Sequence, residues 1–285
     1  MHLTDSEIKE IELRANDIRM TIIDMLEDAG SGHTAGPLGL ADLFAALYFN
    51  ILNHDPNDWE KPDRDRLLLS CGHTVPVRYA AMAHAGYYPL EETKTLRQFG
   101  SRLQGHPERV MLGAMENTSG PLGEGLSQAA GMAYAARMNG EKWRTYCVMS
   151  DGEQQAGNIW EAAMFAGKYK LSQLIVFIDR NNIQIDGPTD EVMPLEDLHG
   201  KWESFGWHVQ EIDGHNVESI RDAASMARAI TNRPSVIITH TIPGKGVDFM
   251  EYDYHWHGKP PNHAEARRAL HKLRTLDGKI TGEHE

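Results

Sequence analysis

Over the first fifty positions the apolar residues recur at helical spacing. Ile8, Ile11, Ile18, Ile22 and Leu26 fall on one helix face, with Thr4 and Glu7 placed as a capping box before them and Gly30 as a natural stop behind. A Gly- and Pro-rich loop, SGHTAGPLG over 31–39, leads into a second predicted helix from Leu40 to about Leu52, ending near Asn53-His54-Asp55-Pro56. The pattern then changes to short apolar runs: Arg66–Ser70, Thr145–Ser150, Leu174–Asp179, His208–Ile212 and Val236–His240. Runs of this kind predict strands buried on both faces. Single helical segments near 157–170, 195–204 and 217–230 separate the last four. This alternation predicts an α/β fold, a parallel sheet with helices on both faces. It is expected as a single domain over 1–285, with a long helical segment at 4–53 ahead of a sheet core at 65–245.

Ligands of such sheets gather at the carboxyl ends of the strands. The residues there are Cys71-Gly72-His73, Asp151-Gly152-Glu153, Arg180-Asn181-Asn182, Asp213-Gly214-His215 and the loop from Thr241. Ordinary turn chemistry accounts for Asp213-Gly214. The other segments combine into one site. Asp151 ends one strand and Asn181 follows the next, 30 residues later, with one helix crossing between them. If those strands are neighbours, a carboxylate and an amide oxygen meet at the same sheet edge, and the Ile183 carbonyl adds a third hard oxygen. Such a set suits Mg²⁺ or Ca²⁺, with phosphate oxygens and water completing the shell. Gly152 has no Cβ to block the approach of a diphosphate, and its N–H is free to donate to one.

The composition narrows the function classes. With 41% hydrophobic and 24% charged residues the chain has the makings of a substantial core. A net charge of −13, with scattered Lys and Arg, argues against nucleic acid as a partner. No apolar stretch approaches a membrane span, and the start, MHLTDSEIKE, is too polar for a secretory signal. The two cysteines, Cys71 and Cys147, exclude a disulfide scaffold and suit a reduced, cytoplasmic setting. Of 15 histidines, His33, His73, His106 and His257 each sit beside a glycine, where backbone approaches a ligand closely while an imidazole donates or accepts.

Asp151-Gly152 followed by Asn181-Asn182 resembles the signature of the thiamine diphosphate enzymes, with Ser150 where glycine is usual. SGHTAGPLG (31–39), DRLLLSCGH (65–73), GSRLQGHPE (100–108), TSGPLGEGLSQAAGMA (118–133) and WHG (256–258) stand in the order and spacing of a transketolase N-terminal domain. The chain is thus similar to transketolases over about residues 15–265. The resemblance implies a thiamine diphosphate-binding fold of the diphosphate-holding type. It implies a metal held by Asp151, Asn181 and the Ile183 carbonyl. His73 and His257, with Gly152 and Glu153, are implied at the diphosphate. Gly120, Pro121, Leu122 and Ile185 are implied at the cofactor rings, although core packing accounts equally well for Leu122 and Ile185. His33 and His106 resemble histidines that bond sugar hydroxyls, and His257 also serves the substrate side. Neutral imidazoles there suit removal of a hydroxyl proton. Gly123 and Gly125, just ahead of a helix, either attract an anion or allow tight packing.

Two departures stand out. Gln154-Gln155-Ala156-Gly157 replaces the usual Leu-Gln-Glu-Gly, which removes a glutamate of a network joining paired active sites. His33-Thr34-Ala35-Gly36 replaces His-Pro-Gly-Ala, with little expected effect. The chain has no room for the family's pyrimidine-binding domain. The resemblance therefore implies a partner subunit carrying it, in an α2β2 assembly acting on sugar phosphates by two-carbon ketol transfer. The rivals are the E1 α subunit of a 2-oxo acid dehydrogenase, one chain of a 1-deoxyxylulose or dihydroxyacetone synthase, or a non-catalytic cofactor-binding subunit. Eight of the other histidines, His54, His84, His199, His208, His215, His240, His255 and His263, are expected to be surface or structural. The end of the chain, DGKITGEHE, is expected to fray.

Overall fold

The computed structural model describes residues 3–275, so the DGKITGEHE tail lies outside the described residues. Helix α1 (Asp5–Ala29) begins at the Thr4–Glu7 capping box and ends on Gly30 in the left-handed conformation. The 31–39 segment is not all loop. Its second half forms a buried helical turn, α2 (Ala35–Gly39), in which Pro37 lies in the first turn and needs no N–H partner. The expected helix over 40–52 divides into α3 (Ala41–Ala46) and a wide π turn (Leu47–Ile51).

Five parallel strands follow: β1 (Arg66–Leu69), β2 (Thr145–Ser150), β3 (Leu174–Arg180), β6 (His208–Asp213) and β7 (Ser235–His240). Their spatial order is β1-β2-β3-β7-β6. A two-residue antiparallel ladder joins β4 (Ile183–Gln184) to β5 (Gly187–Pro188) directly after β3. Strand residues alternate between two apolar layers. Leu67, Leu69, Tyr146, Val148, Ile175, Phe177 and Ile237 pack with α1, α3, α4 (Val75–His84) and α9 (Val217–Ala229). Leu68, Cys147, Met149, Val176, Ile178 and Val236 pack with α5 (Glu124–Asn139), α6 (Gly157–Lys168) and α8 (Leu198–Ser204). Burial of both sheet faces explains the apolar runs of β1, β2, β3 and β7. The run at 208–212, expected to be buried as well, is the edge strand β6, which is only half-buried and exposes Glu211 and Asp213. Both cysteines are free and buried.

Helix α4 had no signal in the apolar pattern. Val75 to Ala83 are all buried, so it has no polar face to mark a period. The described chain is completed by a short turn, α7 (Thr189–Val192), and by α10 (His263–Thr275), which packs on the first layer through Ala266, Ala269 and Leu273. No described helix is long and apolar enough to cross a membrane.

Candidate active site

Strands β2 and β3 are neighbours in register Ser150↔Asp179, so Asp151 and Asn181 leave the sheet at the same carboxyl edge. The Asp151 carboxylate is 1% exposed. Its Oδ1 accepts from the Gly152 N–H at 2.7 Å, and its Oδ2 accepts from the Asn182 N–H at 2.7 Å and from Arg180 Nη1 at 3.2 Å. Burial outweighs these donors and pushes its pKa up to about 6. Asn181, also buried, donates from Nδ2 to Asp179 at 2.7 Å, and this fixes Oδ1 on the other side, where the Ile183 N–H reaches it at 3.1 Å. Asp179 accepts from the Thr241 hydroxyl as well, and burial raises its pKa to about 7. The turn after β3, 181–183, thus meets the buried carboxylate through the Asn182 N–H. Among the described residues no three His, Cys, Asp or Glu side chains converge to hold a metal, so a cation here relies on one carboxylate and neutral oxygens.

Three imidazoles form a triangle. The ring centroids of His33 and His73 are 4.9 Å apart, those of His33 and His257 5.4 Å, and those of His73 and His257 5.2 Å. Burial, followed by the His257, Arg97 and His106 charges, drops the His33 pKa to about 4. Burial likewise holds His73 well below the ordinary histidine value and lowers His257, and burial with the Arg97 charge lowers His106. At neutral pH these are uncharged rings, each with one donor and one acceptor nitrogen.

Close backbone approach assembles the cluster. A Cβ on Gly72 would stand 2.3 Å from Ser119 Oγ and 3.2 Å from His106 Cδ2, so glycine there lets the 106–119 loop reach His73. The Thr34 hydroxyl donates to the Lys259 carbonyl at 2.6 Å and ties the His33 loop to the His257 loop. The Thr-for-Pro departure, expected to matter little, therefore makes a buried cross-link. His215, expected to be structural, accepts the Ile242 N–H at 2.7 Å and bonds Asp42 at 2.7 Å, pinning the loop after β7 to α3.

Other expected residues divide. Gly120 faces open space, and Pro121, Leu122 and Ile185 are exposed, Leu122 at 43% and Ile185 at 62%; simple core packing does not explain the last two. Ile183 is buried. Gly152 does not leave an open cradle, because the Gln184 amide occupies the place of its missing Cβ, at 2.7 Å. The Glu153 side chain does not face the opening either. It is 1% exposed and accepts from the Ser70 hydroxyl, the Ser150 N–H at 2.9 Å and the Gly123 N–H at 3.0 Å. An internal carboxylate thus caps the start of α5 and anchors the 120–122 turn. Gly125 brings α5 against β1, since a Cβ there would lie 2.4 Å from Ser70 Cβ. Of the two readings for these glycines, tight packing holds for both: a Cβ on Gly123 would lie 2.1 Å from Asn158 Oδ1, and its N–H is already taken by the Glu153 side chain.

Sequence reasoning passed over Arg97. It has φ of 61°, donates to the Gly105 carbonyl at 3.4 Å and sits beside both His33 and His106. No described carboxylate pairs with it. Buried polar atoms without a described partner also collect at this edge: His33 Nδ1, Ser119 Oγ, Gln154 Oε1 and Gln184 Oε1. Orphaned donors and acceptors beside neutral imidazoles and a buried carboxylate fit a polar, anionic ligand.

Residues 11–277 match the family described as transketolase, thiamine diphosphate binding domain. A 6-deoxy-6-sulfo-D-fructose transketolase subunit from Clostridium sp. is 44% identical over 242 residues, 85% of this chain and 88% of that protein. An apulose-4-phosphate transketolase subunit from Phocaeicola vulgatus is 38% identical over 267 residues, 94% of this chain and 95% of that protein. The transketolase of Campylobacter jejuni superposes with a TM-score of 0.88 at 34% identity, over 94% of this chain and 43% of that one. That of Leishmania mexicana gives 0.87 at 33%, over 93% and 41%. The chain thus spans less than half the length of the solved transketolases and most of the length of the two subunit relatives. It belongs to the transketolase family, as a thiamine diphosphate-binding domain of that family.

Proposed function

We propose that this chain is the cofactor-binding subunit of a two-component transketolase, a transferase that moves a two-carbon ketol unit between sugars bearing an anionic group. The observation that carries the reading is the neutral His33–His73–His257 triangle and its meeting with the segment that follows Asn181: a Cβ on Gly258, next to His257, would lie 3.8 Å from His33 Nε2 and 3.5 Å from Ile185. In this reading Asp151, Asn181 and the Ile183 carbonyl hold Mg²⁺ or Ca²⁺. His73 and His257 contact the diphosphate, which comes close to Gly152 once the Gln184 amide turns aside. Gly120, Pro121, Leu122 and Ile185 supply the exposed surface on which the rings rest. Bound thiamine diphosphate supplies the carbon nucleophile of the transfer. The chain's own work is to exclude water, to bond the sugar hydroxyls through His33 and His106, and to take and return a hydroxyl proton at an imidazole nitrogen.

Arg97 supports an anionic sugar, since it places an unpaired guanidinium at the mouth of the histidine cluster. The names of both subunit relatives include a sulfo or phosphate sugar. Leu122 and Ile185 are apolar and exposed, which supports a partner chain, with the pyrimidine-binding domain, closing over the site in an α2β2 assembly. The two free buried cysteines suit a cytoplasmic location. The test is to mix the chain with its partner, thiamine diphosphate and Mg²⁺, and follow sedoheptulose 7-phosphate formation from a pentose phosphate pair. Turnover that disappears in His33→Ala or Asp151→Ala supports the reading. Cofactor uptake without turnover on any phospho- or sulfo-sugar points instead to a binding subunit.

A further inference from the structure

The carboxyl edge of the sheet holds the site above, and the amino edge holds a second cavity. It has a volume of about 630 Å³ and lies where Arg144 enters β2 and Gln173 enters β3. Five cations line it, Arg137, Lys142, Arg144, Lys170 and Arg228, against one carboxylate, Glu141. A concentration of this kind is unexpected on a chain of net charge −13. Partners inside the fold neutralise it only in part, through Asp65, which pairs with Arg228. Arg137 donates to the Tyr169 carbonyl and Arg144 to the Arg228 carbonyl at 3.3 Å, both neutral acceptors. Arg228 bonds the Tyr146 hydroxyl at 2.7 Å and reaches Asp65 only at 3.7 Å. Neither Lys142 nor Lys170 makes an ion pair or side-chain hydrogen bond with a described residue. Lys170 also holds a left-handed backbone, φ 49°, uncommon for a lysine, and this sets its side chain at the cavity rim.

We propose that this cavity binds a small metabolite carrying two or more phosphate groups. With Glu141 and the Arg228 partner Asp65 set against the five cations, three positive charges remain in excess, more than a single carboxylate or monophosphate balances. The mix of guanidinium forks and compact ammonium groups matches phosphate oxygens. The volume is that of a small-molecule site. The chain's overall negative charge works against nucleic acid. The cavity and the first site lie at opposite ends of the same two strands, about 20 Å apart at 3.3 Å per residue, so occupancy of one does not require the other.

The test uses tripolyphosphate as the probe, with isothermal titration of the full chain and amide chemical-shift mapping. One bound probe per cavity is expected, with affinity falling as salt rises. Shifts are expected at residues 140–144 and 170–173. Lys142→Gln/Lys170→Gln should weaken binding about tenfold, the equivalent of ~1.4 kcal/mol, with its thermal unfolding midpoint unchanged. Three outcomes overturn the proposal: no binding up to millimolar probe, equal affinity in the double variant, or shifts confined to 151–152 and 181–183, which assign the probe to the first site.

Discussion

The charge on Asp151 costs the chain stability when no cation is present, and this gives a test with a sign. The carboxyl is almost wholly buried, and its pKa rises from the ordinary 3.8 to about 6. That interval, at 1.36 kcal/mol for each pH unit, corresponds to about 3 kcal/mol for holding it ionised at neutral pH. The folded chain binds its proton more tightly than the unfolded chain does. The cost is therefore present above about pH 6 and absent below 3.8, where both states are protonated. Asp151→Asn removes the cost and keeps an acceptor for the Gly152 or Asn182 N–H. It also removes a partner of Arg180, which retains Glu196 at 2.5 Å, an offset of about 1–2 kcal/mol. The variant should gain about 1 kcal/mol in urea unfolding with EDTA at pH 7–8. The gain should vanish or reverse toward pH 4. With the partner chain present, its cation-dependent uptake of thiamine diphosphate should fall about a hundredfold or more, because an ionic ligand is gone. A residue kept only for structure behaves differently: destabilisation of about 2 kcal/mol at pH 7, or unchanged uptake, would refute the assignment.

The other expectations follow from the same geometry. His33, held neutral down to about 4, binds its proton less readily folded than unfolded, so stability should fall as pH drops from 6.5 toward 4. His33→Gln should remove about 2 kcal/mol of that fall in urea titrations at pH 7 and 5. Glu153→Ala should cost about 3 kcal/mol and loosen the 120–122 turn, visible as faster amide exchange there, because it strands three donors. Leu122→Ala and Ile185→Ala should leave unfolding within about 0.5 kcal/mol yet weaken cofactor uptake by the complex. A large stability loss would return these two to the core. Thr34→Val should cost about 1–2 kcal/mol and raise KM for the sugar more than it lowers kcat, since it frees the His33 loop from Lys259.

What the sequence disclosed and withheld follows from the range of the interactions. The exits of β1, β2, β3 and β7 were legible because strands covered on both faces read as apolar runs, and each run ends at a point where side chains leave the core; the edge strand β6 is only half-buried. Asp151 and Asn181 were legible because one helical crossover fixes them as neighbours. Helix α4 was not, since a helix buried all round has no period to read. The role of Glu153 was hidden for another reason. Its partners, Ser70 and Gly123, lie far away in the chain and meet it only once α5 is docked on β1 by Gly125. Motif position marked Glu153 as a cofactor neighbour, whereas the fold uses its carboxyl oxygens to hold the turn that such a cofactor would touch. Arg97 was hidden too, because an exposed arginine in a turn carries no pattern, and only its position beside His33 and His106 gives it meaning. Thr34 shows the same limit from the other side. Small size made it look neutral, but a hydroxyl with no exposure must bond something, and here it bonds the loop bearing His257. A substitution at a ligand loop is therefore to be weighed by the hydrogen bonds it makes possible as well as by the space it leaves.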